Sequence, residues 1–184
     1  MRFPVLALFA LCPSVAYASD KAYACDLGDV GAPQVVRVTK AGKLADTYIY
    51  YLRQGDGAAL PLLGGEAEDS RGSGLRIECV DGKHRALAVF GEFMSAGYPQ
   101  GWVMIYDPAK RSFERFGFAE RAPLGWLYLG AQDSLLVFAP GGRLETERRY
   151  LVYRFAVGAG QDSTETIVDT LPKAEGYEVV KIDW

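Results

Sequence analysis

The side chains with the greatest chemical reach in this 184-residue chain are one histidine, three cysteines and a scatter of carboxylates. His84 follows a tight turn between Lys83 and Arg85. A histidine base needs a nucleophile and an orienting acid within hydrogen-bond reach, and no Gly-x-Ser-x-Gly elbow exists to hold a serine beside it. His84 therefore reads as a solvated turn residue. Carboxylates are the remaining catalytic option. Glu66, Glu68 and Asp69 cluster in one loop, and Glu92, Asp107, Glu145 and Glu147 fall near strand ends. Glycoside hydrolysis would require two such groups roughly 5–10 Å apart across a cleft. Acids in glycine-rich loops are more often a solvated face, so no catalytic residue is assigned and the protein is expected not to be an enzyme. One histidine leaves too few ligands for zinc or copper, and no Asp-rich calcium loop, Walker loop or dinucleotide fingerprint is present. No metal and no cofactor are expected.

The cysteines point to an address. Residues 1–18 have the form of a secretory signal, with Arg2 in front of a short apolar run from Val5 to Leu11 and a small-x-small site at Ala16-Tyr17-Ala18. Cys12 would leave with that segment. Cys25 and Cys79 would then meet an oxidising compartment, the periplasm, where disulfides persist. They are the only intramolecular pair available, and a bridge between them would remove about 4 kcal/mol of unfolded-chain entropy. The alternatives are two separate buried thiols or an intermolecular link. The net charge of −3 and the lack of a basic stripe argue against nucleic acid and against docking on an anionic membrane. No later apolar run is long enough to insert into a bilayer.

The elements that must position any site read as strands. Thirteen short runs rich in Val, Ile, Tyr and Phe, from 23–27 to 177–182, are separated by Gly, Pro and Asp punctuation. Two stretches share one pattern: Leu87-Ala88-Val89-Phe90 recurs as Leu135-Leu136-Val137-Phe138, and Trp102-Val103-Met104-Ile105-Tyr106 as Tyr150-Leu151-Val152-Tyr153-Arg154, both at an offset of 48. Gly125-Trp126-Leu127-Tyr128-Leu129 returns as Gly176-Tyr177-Glu178-Val179-Val180 after a slightly longer interval. A period near 50 with several strands per unit marks a β-repeat architecture. The expectation is an all-β fold of about 11–13 short antiparallel strands in three blade-like repeats, at roughly 19–80, 84–130 and 132–184, within one domain spanning 19–184. Three units are few for a closed propeller, so an incomplete or irregular propeller is expected, with a β-trefoil or a β-sandwich as alternatives. Unpaired edge strands would permit a homodimer, and the C-terminal run ending at Trp184 is a candidate edge cover.

Two loops are longer or odder than their connections require. The glycine-rich, acidic stretch 54–74 reads as a flexible linker between units. The 93–101 stretch, Phe-Met-Ser-Ala-Gly-Tyr-Pro-Gln-Gly, mixes large apolar groups with small polar ones. Phe93 and Met94 could simply finish a buried strand. Ser95, Tyr98 and Gln100 sit where a hairpin tip would enter a partner's cleft, and Tyr beside Ser and Gly offers large contact area at low entropic cost. The corresponding loop of the third unit, 140–148, is charged instead. Phe93, Met94, Ser95, Tyr98 and Gln100 are therefore the expected partner-binding residues.

The strand-turn-strand Val103-Met104-Ile105-Tyr106-Asp107-Pro108-Ala109-Lys110-Arg111-Ser112-Phe113 resembles the centre of a kelch-type propeller blade, although the paired glycines of that family are replaced by Phe90-Gly91-Glu92. The Asp81-Gly82-Lys83-His84 turn, the apolar strand after it, the Ser/Gly-containing loop and the Ile105-Tyr106-Asp107 strand end together resemble periplasmic immunity proteins that neutralise peptidoglycan amidases. That resemblance implies a non-enzymatic inhibitor whose loop plugs an amidase toxin's active site. The alternatives are a periplasmic carbohydrate-active hydrolase using paired carboxylates and an envelope scaffold module.

Overall fold

The computed structural model describes residues 20–29, 31–95, 97–139, 150–156, 158 and 162–184. The expected leader at 1–18 and the charged 140–148 loop, with Glu145 and Glu147, lie outside the described residues. The fold is all-β, and each of the thirteen runs read from the sequence falls on a strand. Strands β1 (Asp20–Asp26), β2 (Val35–Leu44), β3 (Thr47–Gln54) and β4 (Ala59–Pro61) form a first layer. Strands β5 (Arg71–Val80), β6 (Ala86–Phe93), β7 (Gln100–Asp107) and β8 (Ser112–Ala119) form a second. The third holds β9 (Leu124–Gly130), β10 (Asp133–Phe138), β11 (Tyr150–Ala156), β12 (Ser163–Val168) and β13 (Tyr177–Lys181).

All pairings between these strands are antiparallel, in two sheets that do not close. The first two layers belong to one eight-stranded sheet because β3 meets β5 at two positions, Tyr48 opposite Gly72 and Ile49 opposite Arg71. The third layer is a separate sheet in the order β12-β11-β10-β9-β13. Strand β9, which the repeat pattern puts at the end of the second unit, pairs instead with β10 and β13. The recurring hydrogen-bonded set is thus β5–β8 followed by β9–β12.

Alternation explains the layering. In β6 and β7 both faces are apolar, so side chains of both parities find a core. Ala86, Ala88, Phe90 and Val103 point to the third layer and pack with Leu127, Leu136, Phe138, Leu151 and Phe155. Leu87, Val89, Trp102 and Met104 point the other way and pack with Val36, Val38, Tyr50 and Leu52 of the first layer. The eight-stranded sheet must therefore fold back on itself, and β5 carries the bend, with a register irregularity between Ser73 and Arg76 and Gly74 at φ +62°. Each fully buried Leu or Phe in these cores contributes about 1.5–3 kcal/mol of burial free energy.

The predicted Cys25–Cys79 bridge is present, joining β1 to β5 with Cα atoms 5.5 Å apart. The chain end covers a sheet edge as expected: the Ile182 amide donates to Gly125 O at 2.9 Å and the Trp184 indole to Leu124 O at 2.6 Å. Stretch 54–74 is not a linker. Leu62 is fully buried and its amide donates to Tyr50 O at 3.0 Å. The Leu63 amide donates to Ser70 Oγ at 2.9 Å. A 3-10 turn over Ala67–Ser70 is closed by a reciprocal Glu66–Asp69 capping box. Its acids, expected to be solvated, partly serve to fix the turn.

Candidate functional site

The 93–100 loop joins β6 to β7, and the structure divides its five singled-out residues between base and tip. Phe93 is a correction: at 3% exposure it belongs to the core between the first two layers, edge-on to Tyr50 with ring centroids 6.4 Å apart, and cannot meet a partner. Gln100 opens β7, opposite Gly91 and Ala119, and so belongs to the loop's base. Met94 and Tyr98 face solvent at 71% and 50% exposure, two large apolar side chains on one short connection. Ser95 is exposed but engaged, its hydroxyl donating to Asp69 O at 3.0 Å.

The base is braced through Arg71. The Met94 amide donates to Arg71 O at 2.9 Å, while the Arg71 guanidinium donates to both Glu68 carboxylate oxygens, at 2.7 and 3.0 Å, and to Gly42 O at 2.8 Å. One buried arginine thus ties the loop, the 3-10 turn and the β2–β3 hairpin together. The planar guanidinium fork suits this bidentate role. Glu68 is held below the ordinary carboxylate range by the Arg71 hydrogen bond. The Arg121 guanidinium lies over the Tyr98 ring, 5.3 Å from its centroid. The same end of the molecule presents Leu44 at 63% exposure, on the hairpin that Arg71 braces. The sequence marks Lys40-Ala41-Gly42-Lys43 as a hairpin turn but points to no site residue on it, although the leucine that follows is an odd choice for a solvated turn.

At the other ends of β6 and β7, His84 departs from expectation. It is half-buried, with Nδ1 3.0 Å from Glu178 Oε2. The Glu178 carboxylate also accepts the Lys83 and His84 amides at 3.0 and 2.7 Å. A Cβ on Gly82 would run into Glu178 Oε1, so the turn needs glycine there to close around the carboxylate. Burial opposes ionisation of Glu178, but the His84 and Lys83 amides and the His84 ring outweigh it and hold its pKa below the ordinary value. Since an ionised carboxylate accepts, Nδ1 carries the proton of this contact.

The nearby acids are similarly tied. The Gly28 and Gln34 amides, with Arg85, hold Asp26 below its ordinary pKa. Partial burial opposes ionisation of Asp107, but the Lys110 and Ala109 amides and the Lys110 ammonium prevail and lower it. Lys110 also pairs with Glu114. A glycosidase pair needs one carboxyl with a raised pKa. Glu78 has one, from burial and then from Asp183, and the Asp183 side chain is 76% exposed and ion-paired with Lys181. No group of three or more metal-ligating side chains occurs among the described residues, and no helix there is long and apolar enough to cross a membrane. No family model matches the chain, and no curated protein or solved structure matches it either.

Proposed function

We propose that this is an exported, non-enzymatic binding protein that inhibits a protein partner by inserting the 93–100 loop, in the manner of immunity proteins against cell-wall amidases. The observation that carries the reading is the pairing of two exposed apolar side chains, Met94 and Tyr98, with a base pinned by Arg71, Asp69 and Arg121. Exposed apolar groups on an unbraced loop would lose much of their contact energy to ordering; a pinned base lowers that cost. A few large anchors surrounded by small residues is also how interfaces concentrate their affinity. Glu178, Asp26 and Asp107 around the histidine turn are held below their ordinary pKa values, the opposite of what a general acid requires. The disulfide between the first two layers suits an oxidising compartment.

The test uses the mature chain as bait in envelope extract, with captured proteins identified by mass spectrometry and reassembled from purified components. The wild-type protein is expected to form a stoichiometric complex with a cell-wall hydrolase and to suppress its activity. The Met94→Glu/Tyr98→Glu double variant should weaken that complex at least 100-fold with an unchanged melting temperature. Equal inhibition by the variant, or turnover of a cell-wall substrate by the protein itself, refutes the proposal.

A further inference from the structure

A second feature lies about 25 Å from the loop, at the far ends of the eight-residue strands β6 and β7. One connection from each layer converges there on a cleft of about 510 Å3: residues 27–29 after β1, 82–85 after β5 and 129–131 after β9, with 105–108 closing one side. Gly28, Gly82 and Gly130 hold equivalent places in these connections and all line the cleft. None could carry a side chain without displacement. A Cβ on Gly28 would strike Ala32 O, one on Gly82 the Glu178 carboxylate, and one on Gly130 would lie 2.9 Å from both Asp133 O and the Tyr177 ring. Neighbouring backbone oxygens limit the wall at Gly28 and Gly130, and the Glu178 carboxylate limits it at Gly82. The volume of the cleft is typical of small-molecule sites, as is a lining in which Leu27, Ile105, Tyr106 and Leu129 are joined by a few polar groups.

The polar groups decide what could enter. Lys83-His84-Arg85 is the one run of three basic residues in a chain of net charge −3, and all three line the cleft. Arg85 is committed to Asp26 Oδ2 and Gly28 O, both at 3.1 Å. His84 spends its Nδ1 proton on Glu178, so its other nitrogen is an acceptor and offers nothing to an anion. The Lys83 ammonium has no acidic partner among the described residues. Two of the three acids on the lining, Asp107 and Glu114, are neutralised by Lys110; the third, Asp29, is exposed at the rim. The one cation on the lining left without an acidic partner among the described residues is thus Lys83, beside an apolar lining.

We propose that this cleft binds a small carboxylate with an apolar body, its anionic end at Lys83 and its body against Leu27, Ile105, Tyr106 and Leu129. The site is separate from the loop and does not depend on the inhibitory reading.

Three probes of matched shape test it on the mature, oxidised chain: 4-phenylbutyrate, 4-phenylbutan-1-ol and 4-phenylbutylamine, followed by calorimetry and amide chemical shifts. The butyrate should bind with a submillimolar Kd and shift the amides of Gly28, Gly82 to Arg85 and Leu129 to Ala131. The alcohol should bind at least fivefold more weakly, and the amine more weakly again. Lys83→Gln should reduce butyrate affinity about fivefold at unchanged melting temperature, whereas Lys43→Gln, at the other end, should not. Equal binding of the three probes, shifts centred on Met94 and Tyr98, full affinity in Lys83→Gln, or no binding at 10 mM each overturns it.

Discussion

Removing the Cys25–Cys79 bridge is the sharpest probe of how the layers hold together. Beside side-chain hydrogen bonds from Arg71, Arg85 and Arg115, the first layer is tied to the second by backbone pairing and by a covalent bond, one at each end: the two-residue β3–β5 pairing and the disulfide between β1 and β5. Between them the layers share a core built on Val36, Val38, Tyr50 and Leu52 against Leu87, Val89 and Trp102. The bridge closes a loop of sequence separation 54, worth about 4 kcal/mol in the chain-entropy treatment. At about 2–4 °C per kcal/mol for a domain of this size, the melting temperature should fall by about 8–16 °C. The right comparison is the Cys25→Ala/Cys79→Ala double variant against oxidised wild type in urea titrations followed by far-UV and Trp102-sensitive fluorescence signals. With one anchor gone, the first layer is free to detach before the rest, so the two signals should separate into distinct transitions. A loss under about 1 kcal/mol with one coincident transition would mean that the shared core alone locks the layers, and the two-anchor account would fail.

Two other perturbations test the site geometry. Glu178 has a depressed pKa in the folded state, so its contribution is present above the ordinary value of 4.5 and is lost as pH falls below it; Glu178→Gln should be less stable at neutral pH and lose less stability between pH 5 and pH 3, and parallel pH–urea profiles would contradict the latch. Phe93→Ala should cost about 3–5 kcal/mol as a core truncation, whereas Met94→Ala should change stability by no more than about 0.5 kcal/mol. Comparable losses in the two variants would disprove the division of the loop into base and tip.

The strands were legible because period-two alternation and turn punctuation are local. The Asp107-Pro108-Ala109-Lys110 turn shows this well: its aspartate accepts the Ala109 amide at 2.9 Å and the Lys110 amide at 3.3 Å. The bridge was legible because two cysteines allow one pairing. The His84–Glu178 contact was not, because the partners are 94 positions apart and only the docking of β13 on β9 brings them together. The Phe93 and Met94 roles hinge on register: adjacent residues at a strand end face opposite sides, and nothing local says which is inward. Composition misled for 54–74, where glycine and acid content concealed a packed turn. The Glu66–Asp69 spacing of three was the readable signal of its capping box.

A stack of three layers has two outer faces, and this chain finishes each differently. On the first layer, Arg37 stands opposite Arg53 and Thr39 opposite Tyr51, out of phase with the buried Val36, Val38, Tyr50 and Leu52. That is the polar outer face a terminal repeat requires. On the third layer the outer face is apolar, with Tyr128, Leu135, Val137 and Val152 all buried. A closed propeller would stack another blade on it. Here the chain after β12 crosses it instead, Pro172 O accepting the Tyr128 hydroxyl at 3.1 Å, and the Tyr177 ring packs edge-on to Tyr128 at 5.8 Å. With one face polar and the other strapped, neither invites a fourth layer. The two ends of the strands, where the connections gather, carry the two proposed sites. One end offers Met94, Tyr98 and Leu44, and the other the cleft around Lys83 and His84. The regular strands therefore build the stack and position the connections, and it is in the connections that the units differ most.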